Sequence, residues 1–164
     1  MGYLYIGFGS NRRDRKEHLK KALLCLRKDN FVLDRCSSVY ATEGVDSGRN
    51  MPEFLNMVAS FETILSPAEV LSHCQQVEKS MGRKKDSGFP RIIDLDILFY
   101  GSLILCENSL ILPHPLAHRR RFVVVPMCEI APDFVHPVMN ITMKELMDKI
   151  PENTGYVRNI GTII

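Results

Sequence analysis

Two helical stripes set among strand-like segments constrain this chain more than any other feature. From Asp14 onward the apolar residues Leu19, Ala22, Leu23 and Leu26 keep the i, i+3, i+4, i+7 spacing of an amphipathic helix. Val70, Leu71, Cys74, Val77 and Met81 repeat that pattern, with the capping box Ser66-Pro-Ala-Glu69 ahead of them and Gly82 as a left-handed stop behind. Strand composition marks Tyr3 to Phe8, Phe31 to Thr42, Phe54 to Thr63 and Arg91 to Tyr100. The order strand, helix, strand, strand, helix, strand predicts an α+β fold: a ferredoxin-like antiparallel sheet with helices packed on one face and an open face left for ligands.

The segments between are read from their breakers. Glu43 to Pro52 carries Gly44, Gly48 and Asn50 and reads as a mobile loop; Arg83 to Pro90, basic and almost free of apolar residues, reads as a second. Leu103 to Leu105 and Leu110 to Leu112 predict short strands around a turn, and Pro113-His-Pro115 then interrupts the chain. Phe122 to Val125 is too short and apolar for its period to assign it. Thr142 and Glu145 cap a final short helix through Leu146, Met147 and Ile150, and the tail after Pro151 is unassigned. With 164 residues, 45% of them hydrophobic, the expectation is one domain over 1–164.

Composition excludes several functions. A formal net charge of only +2 offers no global drive toward nucleic acid or an anionic membrane, so a bound anion must be held locally. No apolar run reaches the ~20 residues that span a bilayer, and Met1 to Ser10 does not resemble a leader, so a cytoplasmic location is expected. No obligatory protein partner is evident. Cys25, Cys36, Cys74, Cys106 and Cys128 are scattered without a C-x-x-C pair and read as small buried hydrophobes, not as disulfides or a zinc site.

The sharpest chemical signal is Ile93-Asp-Leu-Asp-Ile97. On a strand, alternation points Asp94 and Asp96 the same way while Leu95 and Ile97 face the core. Two adjacent carboxylates repel unless a cation lies between them, and hard Mg²⁺ takes one or two such ligands and fills its octahedron with water and phosphate oxygen. Arg83, Lys84, Lys85 and Arg91 precede the pair and Arg119, Arg120 and Arg121 follow it, so cations from two loops can converge on a polyphosphate. No glycine-rich phosphate loop of either common pattern is present, which leaves side chains and metal to hold the phosphates. Phe54, Asn56 and Phe122 suit a flat heterocycle with polar edges, though each serves a core equally well. His114 reads equally as a turn residue, and Glu78 as an exposed helix position.

These residues are tied together by a resemblance. Ile6-Gly-Phe-Gly-Ser-Asn11, Phe54-Leu-Asn56, Pro90-Arg-Ile-Ile-Asp-Leu-Asp-Ile97, Leu112-Pro-His-Pro115, Arg120-Arg-Phe122 and Glu129-Ile-Ala-Pro132, in this order, resemble the 6-hydroxymethyl-7,8-dihydropterin pyrophosphokinase family. The resemblance implies the ferredoxin-like fold, two Mg²⁺ ions, ATP as co-substrate and a reduced pterin as acceptor of its pyrophosphoryl group, in folate synthesis. It implies that Asp94 and Asp96 hold the metals; from the mechanism of such a transfer, Asp96 is expected to take the acceptor's proton. Arg83, Arg91, Gln75, His114 and Arg120 would contact the triphosphate, Arg83 and Arg91 as catalytic residues, with Glu78 near the nucleotide. Phe54 and Phe122 would sandwich the pterin, and Asn56 and the backbone of Thr42, Gly44 and Val45 would read its edge. The chain departs from the best-known bacterial members at Ser109 and Ile111, where they carry arginine and threonine, and its loop from Lys84 to Phe89 is shorter and lacks their tryptophan. Closure of that loop over ATP is expected. A nucleotidyl transferase, which releases pyrophosphate, and an RNA-binding domain of the same fold are the competing readings.

Overall fold

A computed structural model describes residues 2–27, 30–46, 49–82, 92–151 and 155–164. Strand β1 (Gly2–Ser10) leads into helix α1 (Arg15–Leu26), which buries Leu19, Ala22, Leu23 and Leu26, the four positions of its stripe. Next come β2 (Val32–Cys36), β3 (Tyr40–Asp46) and the long β4 (Arg49–Thr63). Helix α2 (Pro67–Ser80) starts at the expected capping box: Ser66 Oγ accepts from Glu69 N, and Ser66 N donates back to Glu69 Oε2 at 2.7 Å. Beyond it Gly82 takes φ of 96°, a conformation side chains disfavour. Strands β5 (Asp94–Tyr100), β6 (Leu105–Cys106) and β7 (Ile111–Leu112) follow, then α3 (Arg121–Ile130), α4 (Met143–Lys149) and β8 (Val157–Asn159).

Among the described residues the main sheet runs β5-β1-β4-β3-β8, with β2 also paired to β4, and the pairings are antiparallel. The α+β antiparallel sheet read from the sequence is therefore present. One face buries Leu4, Ile6, Phe8, Met57, Phe61, Leu95 and Ile97 under α1 and α2.

Several details differ from expectation. The helices are not confined to one face: Tyr5, Val58, Leu98 and Phe99 are covered from the other side by Val123, Val124 and Met127 of α3 and Met143 and Leu146 of α4. The second face is open only beyond the start of α3. That helix was hidden because Phe122 to Val125 is β-branched and apolar and Pro126 lies within it, both signals against a helix; burial against the sheet overrides them. Phe31 to Thr42 is two strands interrupted at Ser37–Val39, where Ser37 Oγ accepts from Val58 N at 3.0 Å and so replaces a ladder bond. Most of Glu43 to Pro52, expected as a loop, forms the arms of the β3–β4 hairpin, and residues 47 and 48 lie outside the described residues. The last strand of the split motif begins at Asp94 rather than Arg91. The cysteines are free, but Cys74 alone is buried and Cys106 is exposed. The tail is not featureless: β8 pairs with β3, placing Val157 opposite Thr42.

Candidate active site

Strand register assembles the site. Gly7 of β1 lies between Val58 of β4 and Asp96 of β5, and Gly9 lies between Asn56 and Asp94. Residues directly opposite share a face, so each row reads side chain, bare glycine, carboxylate. At about 4.8 Å per strand, Asn56 and Asp94 stand roughly 10 Å apart across a floor without side chains. A Cβ on Gly9 would come within 3.1 Å of Asn56 Oδ1, which explains glycine there.

Above this floor is a cavity of about 340 Å³ lined by Phe54, Asn56, Asp94, Asp96, Arg120 and Phe122, among others. Phe54 comes from β4, whereas Phe122 is set in the first turn of α3. Asn56 Nδ2 donates to Thr42 Oγ1 at 2.8 Å, which fixes the amide and leaves its oxygen available as an acceptor. Arg120 caps the start of α3, with one guanidinium nitrogen 3.9 Å from Asp96 Oδ2 and Cζ 5.5 Å from the centre of the Phe122 ring. That pair is long and partly exposed, so it places charge more than it adds stability. Thr42 and Glu43 line the cavity from β3, Gly44 does not, and the side chain of Val45 is outside the described residues.

A second cavity, about 940 Å³, opens beside α2 and is lined by Cys74, Gln75, Glu78, Lys79, Asp94 and Asp96 together with neighbours. Glu78, readable from the sequence as an exposed position, is buried, and its Oε1 accepts from Leu95 N at 2.8 Å. A carboxylate thus grips the peptide between the two aspartates. Burial pushes the Cys74 thiol up to about 12, which makes it a protonated wall residue and not a nucleophile.

His114 N donates to Leu98 O at 2.9 Å, and its Nδ1 accepts from Leu116 N at 3.1 Å. The ring proton therefore belongs on Nε2. Burial holds this ring below the usual histidine value of 6.5 against the opposing pull of Asp96, and Arg120 lowers it further. A neutral Nε2–H donor is suited to a phosphate oxygen. Arg83 and Arg91, together with the expected loop closure over 84–89, lie outside the described residues.

The structure thus brings Thr42, Phe54, Asn56, Asp94, Asp96, Arg120 and Phe122 to one cavity, and Gln75 and Glu78 to the other with the same aspartates. Sequence reasoning missed Gly7 and Gly9 as the floor, although two glycines at i, i+2 in a strand were the available signal. It gave no role to the side chains of Glu43, which lines the first cavity, or of Glu129, which it carried only as the head of a motif.

Two cavities with different linings thus share one carboxylate wall on an antiparallel α+β sheet. The family model of 7,8-dihydro-6-hydroxymethylpterin-pyrophosphokinase matches residues 5–132, and the chain belongs to that family. It is 37% identical over 155 residues to the 2-amino-4-hydroxy-6-hydroxymethyldihydropteridine pyrophosphokinase of Aquifex aeolicus, with 94% of each chain covered. It is also 34% identical over 158 residues to the folic acid synthesis protein FOL1 of Dictyostelium discoideum, covering 96% of this chain and 24% of that protein. Against its namesake in Schizosaccharomyces pombe, identity is 40% over 151 residues, covering 90% and 20%. The chain thus spans a quarter or less of those two relatives. The wild-type HPPK-DHPS structure from Plasmodium falciparum matches 90% of this chain and 44% of its own with a TM-score of 0.70 at 14% identity, a likeness of fold. Among the described residues no helix is long and apolar enough to cross a membrane.

Proposed function

We propose that this chain transfers the β,γ-pyrophosphoryl group of ATP to the hydroxymethyl oxygen of 6-hydroxymethyl-7,8-dihydropterin, releasing AMP, as a single Mg²⁺-dependent catalytic unit of folate synthesis. The observation that carries the reading is that Asp94 and Asp96 line both cavities. One cavity has an aromatic residue from each of two elements and an oriented amide; the other has room for a nucleotide.

The pterin ring enters between Phe54 and Phe122, and Asn56 with the β3 backbone from Thr42 to Val45 reads its polar edge. ATP lies against Gln75 and Glu78, with its phosphates reached by His114, Arg120, Arg83 and Arg91. The oxygen donors of Asp94 and Asp96, two residues apart on one face, fit hard cations that keep water and phosphate as their remaining ligands, and these two residues would hold two Mg²⁺ ions. When bound, the metal supplies neutralisation of charge on the transferring phosphates. The acceptor oxygen bonds to the β-phosphorus as the bond from that phosphorus to the α-phosphate oxygen breaks. Asp96 takes the alcohol proton, and AMP leaves with the electron pair. Positioning and charge neutralisation supply most of the rate.

Product analysis by phosphorus NMR, after incubation with ATP, Mg²⁺ and the pterin alcohol, tests this. AMP and a pterin diphosphate are expected. ADP would mean a single-phosphoryl kinase, and free pyrophosphate a nucleotidyl transferase.

A further inference from the structure

The motif Glu129-Ile-Ala-Pro132 is not explained by either cavity, since Glu129 lies two turns of α3 away from Phe122. Its carboxylate is nevertheless heavily engaged. Ser38 N donates to both oxygens at 3.0 Å, Ser38 Oγ donates to Oε1 at 2.9 Å, and the Tyr40 hydroxyl donates to Oε2 at 2.8 Å. Ser38 lies in the break between β2 and β3, and Tyr40 is the first residue of β3. A second polar tie joins the same parts: Arg35 Nη1 donates to Ile130 O at 3.0 Å, a cation on the last carbonyls of the helix.

These ties connect two elements that line the first cavity. Beyond the break, β3 carries Thr42 and Glu43 into it, and Thr42 holds Asn56. Seven residues before Glu129, α3 carries Phe122 into the same cavity. The apolar contacts of α3 with the sheet are non-directional and define its axial position less sharply than bonds of fixed geometry. Charge-assisted hydrogen bonds supply that definition. Tyr40 reinforces the tie: burial, and then its bond to Glu129, hold its hydroxyl in the protonated, donating form.

We infer that Glu129 is a positioning residue for the acceptor: by clamping α3 to the β2–β3 break it sets where Phe122 stands relative to Thr42, Asn56 and Phe54. This rests on the pterin reading above.

The test compares Glu129→Ala, Glu129→Gln and Tyr40→Phe by calorimetric titration with 6-hydroxymethyl-7,8-dihydropterin in the presence of Mg²⁺ and a non-hydrolysable ATP analogue, alongside steady-state kinetics. Glu129→Ala is expected to raise the pterin Kd and KM about tenfold, the scale of one charge-assisted hydrogen bond. The KM for ATP and the kcat at saturating pterin should stay within about twofold, on the same reasoning that uniform binding is what is lost. Glu129→Gln retains an oxygen acceptor and should recover most of the loss. Tyr40→Phe should cost less, and combined with Glu129→Ala no more than Glu129→Ala alone, since both remove one interaction. Pterin affinity left unchanged by Glu129→Ala, or an equal loss for ATP and pterin, overturns the clamp. Failure of the unsubstituted chain to bind the pterin overturns instead the reading on which it rests. Glu129→Gln and Tyr40→Phe preserve packing and keep the comparison decisive should Glu129→Ala fold poorly.

Discussion

Asp94 and Asp96 reach one wall because strand side chains alternate, and Gly7 and Gly9 opposite them keep the floor clear. Asp96→Asn preserves shape and removes the charge. With the proposed proton acceptor lost, kcat is expected to fall by at least about a hundredfold. Near-normal turnover with metal still bound would strip Asp96 of that role. Gly9→Ala introduces a Cβ 3.1 Å from Asn56 Oδ1, so the amide must shift; a higher pterin KM with little change in kcat is expected from initial rates. His136 makes a prediction about stability. Its ring is buried, and Nδ1 accepts from Val138 N at 3.2 Å and Met139 N at 3.3 Å. Burial, and next His118, hold it below the ordinary 6.5. The unfolded chain therefore takes up a proton near 6.5 while the folded ring resists, so this stabilisation is present above 6.5 and is lost as pH falls through the folded value. Thermal melts across that range should show a smaller acid loss in His136→Asn than in the unsubstituted chain. At this scale the aspartates were legible because two charges in an apolar strand are conspicuous. The burial of Glu78 was not, because its partner, the Leu95 amide, is distant in sequence.

Elements whose ends are marked by local chemistry were read with their boundaries nearly intact. Both capping boxes form as spaced: around Thr142, the Thr142 N–H donates to Glu145 Oε2 at 2.7 Å, and Glu145 N donates to Thr142 Oγ1 at 3.2 Å. Thr142→Ala is expected to cost about 1 kcal/mol, read from the urea midpoint. Turnover should survive, since α4 lies behind α3 and does not line either cavity. Elements that depend on distant partners were read less well. The β2–β3 break keeps its backbone satisfied through the tail, with Val39 N donating to Gly161 O at 2.7 Å and Ile160 N to Val39 O at 2.9 Å. A local pattern of Val32, Leu33, Val39 and Tyr40 carries no trace of that. The β3–β4 arms looked like a loop for a related reason: glycine, asparagine and proline weaken strand propensity, and pairing across the hairpin restores it.

For the whole molecule, the decisive property is that two cavities with different linings share the same pair of carboxylates. Ligands that occupy both should stabilise the native state together more than separately. The expected result is a larger rise in melting temperature with the pterin, an ATP analogue and Mg²⁺ than the sum of the rises with each organic ligand alone. Chelating the metal should abolish that excess. Equal shifts with and without chelator would argue against metal at the aspartates. The sequence by itself determined the family, the α+β antiparallel sheet, two of the helices with their caps, and a carboxylate pair on one strand face, because each is written in periodicity or in short contiguous motifs. Only the tertiary structure decided that α3 and α4 cover part of the second face. It brought Phe122 and Phe54 to the lining of one cavity, and it alone set the glycine floor between Asn56 and Asp94 and laid Glu129 against the β2–β3 break. Those relations join residues far apart in the chain, and strand register and core packing, not local propensity, set them.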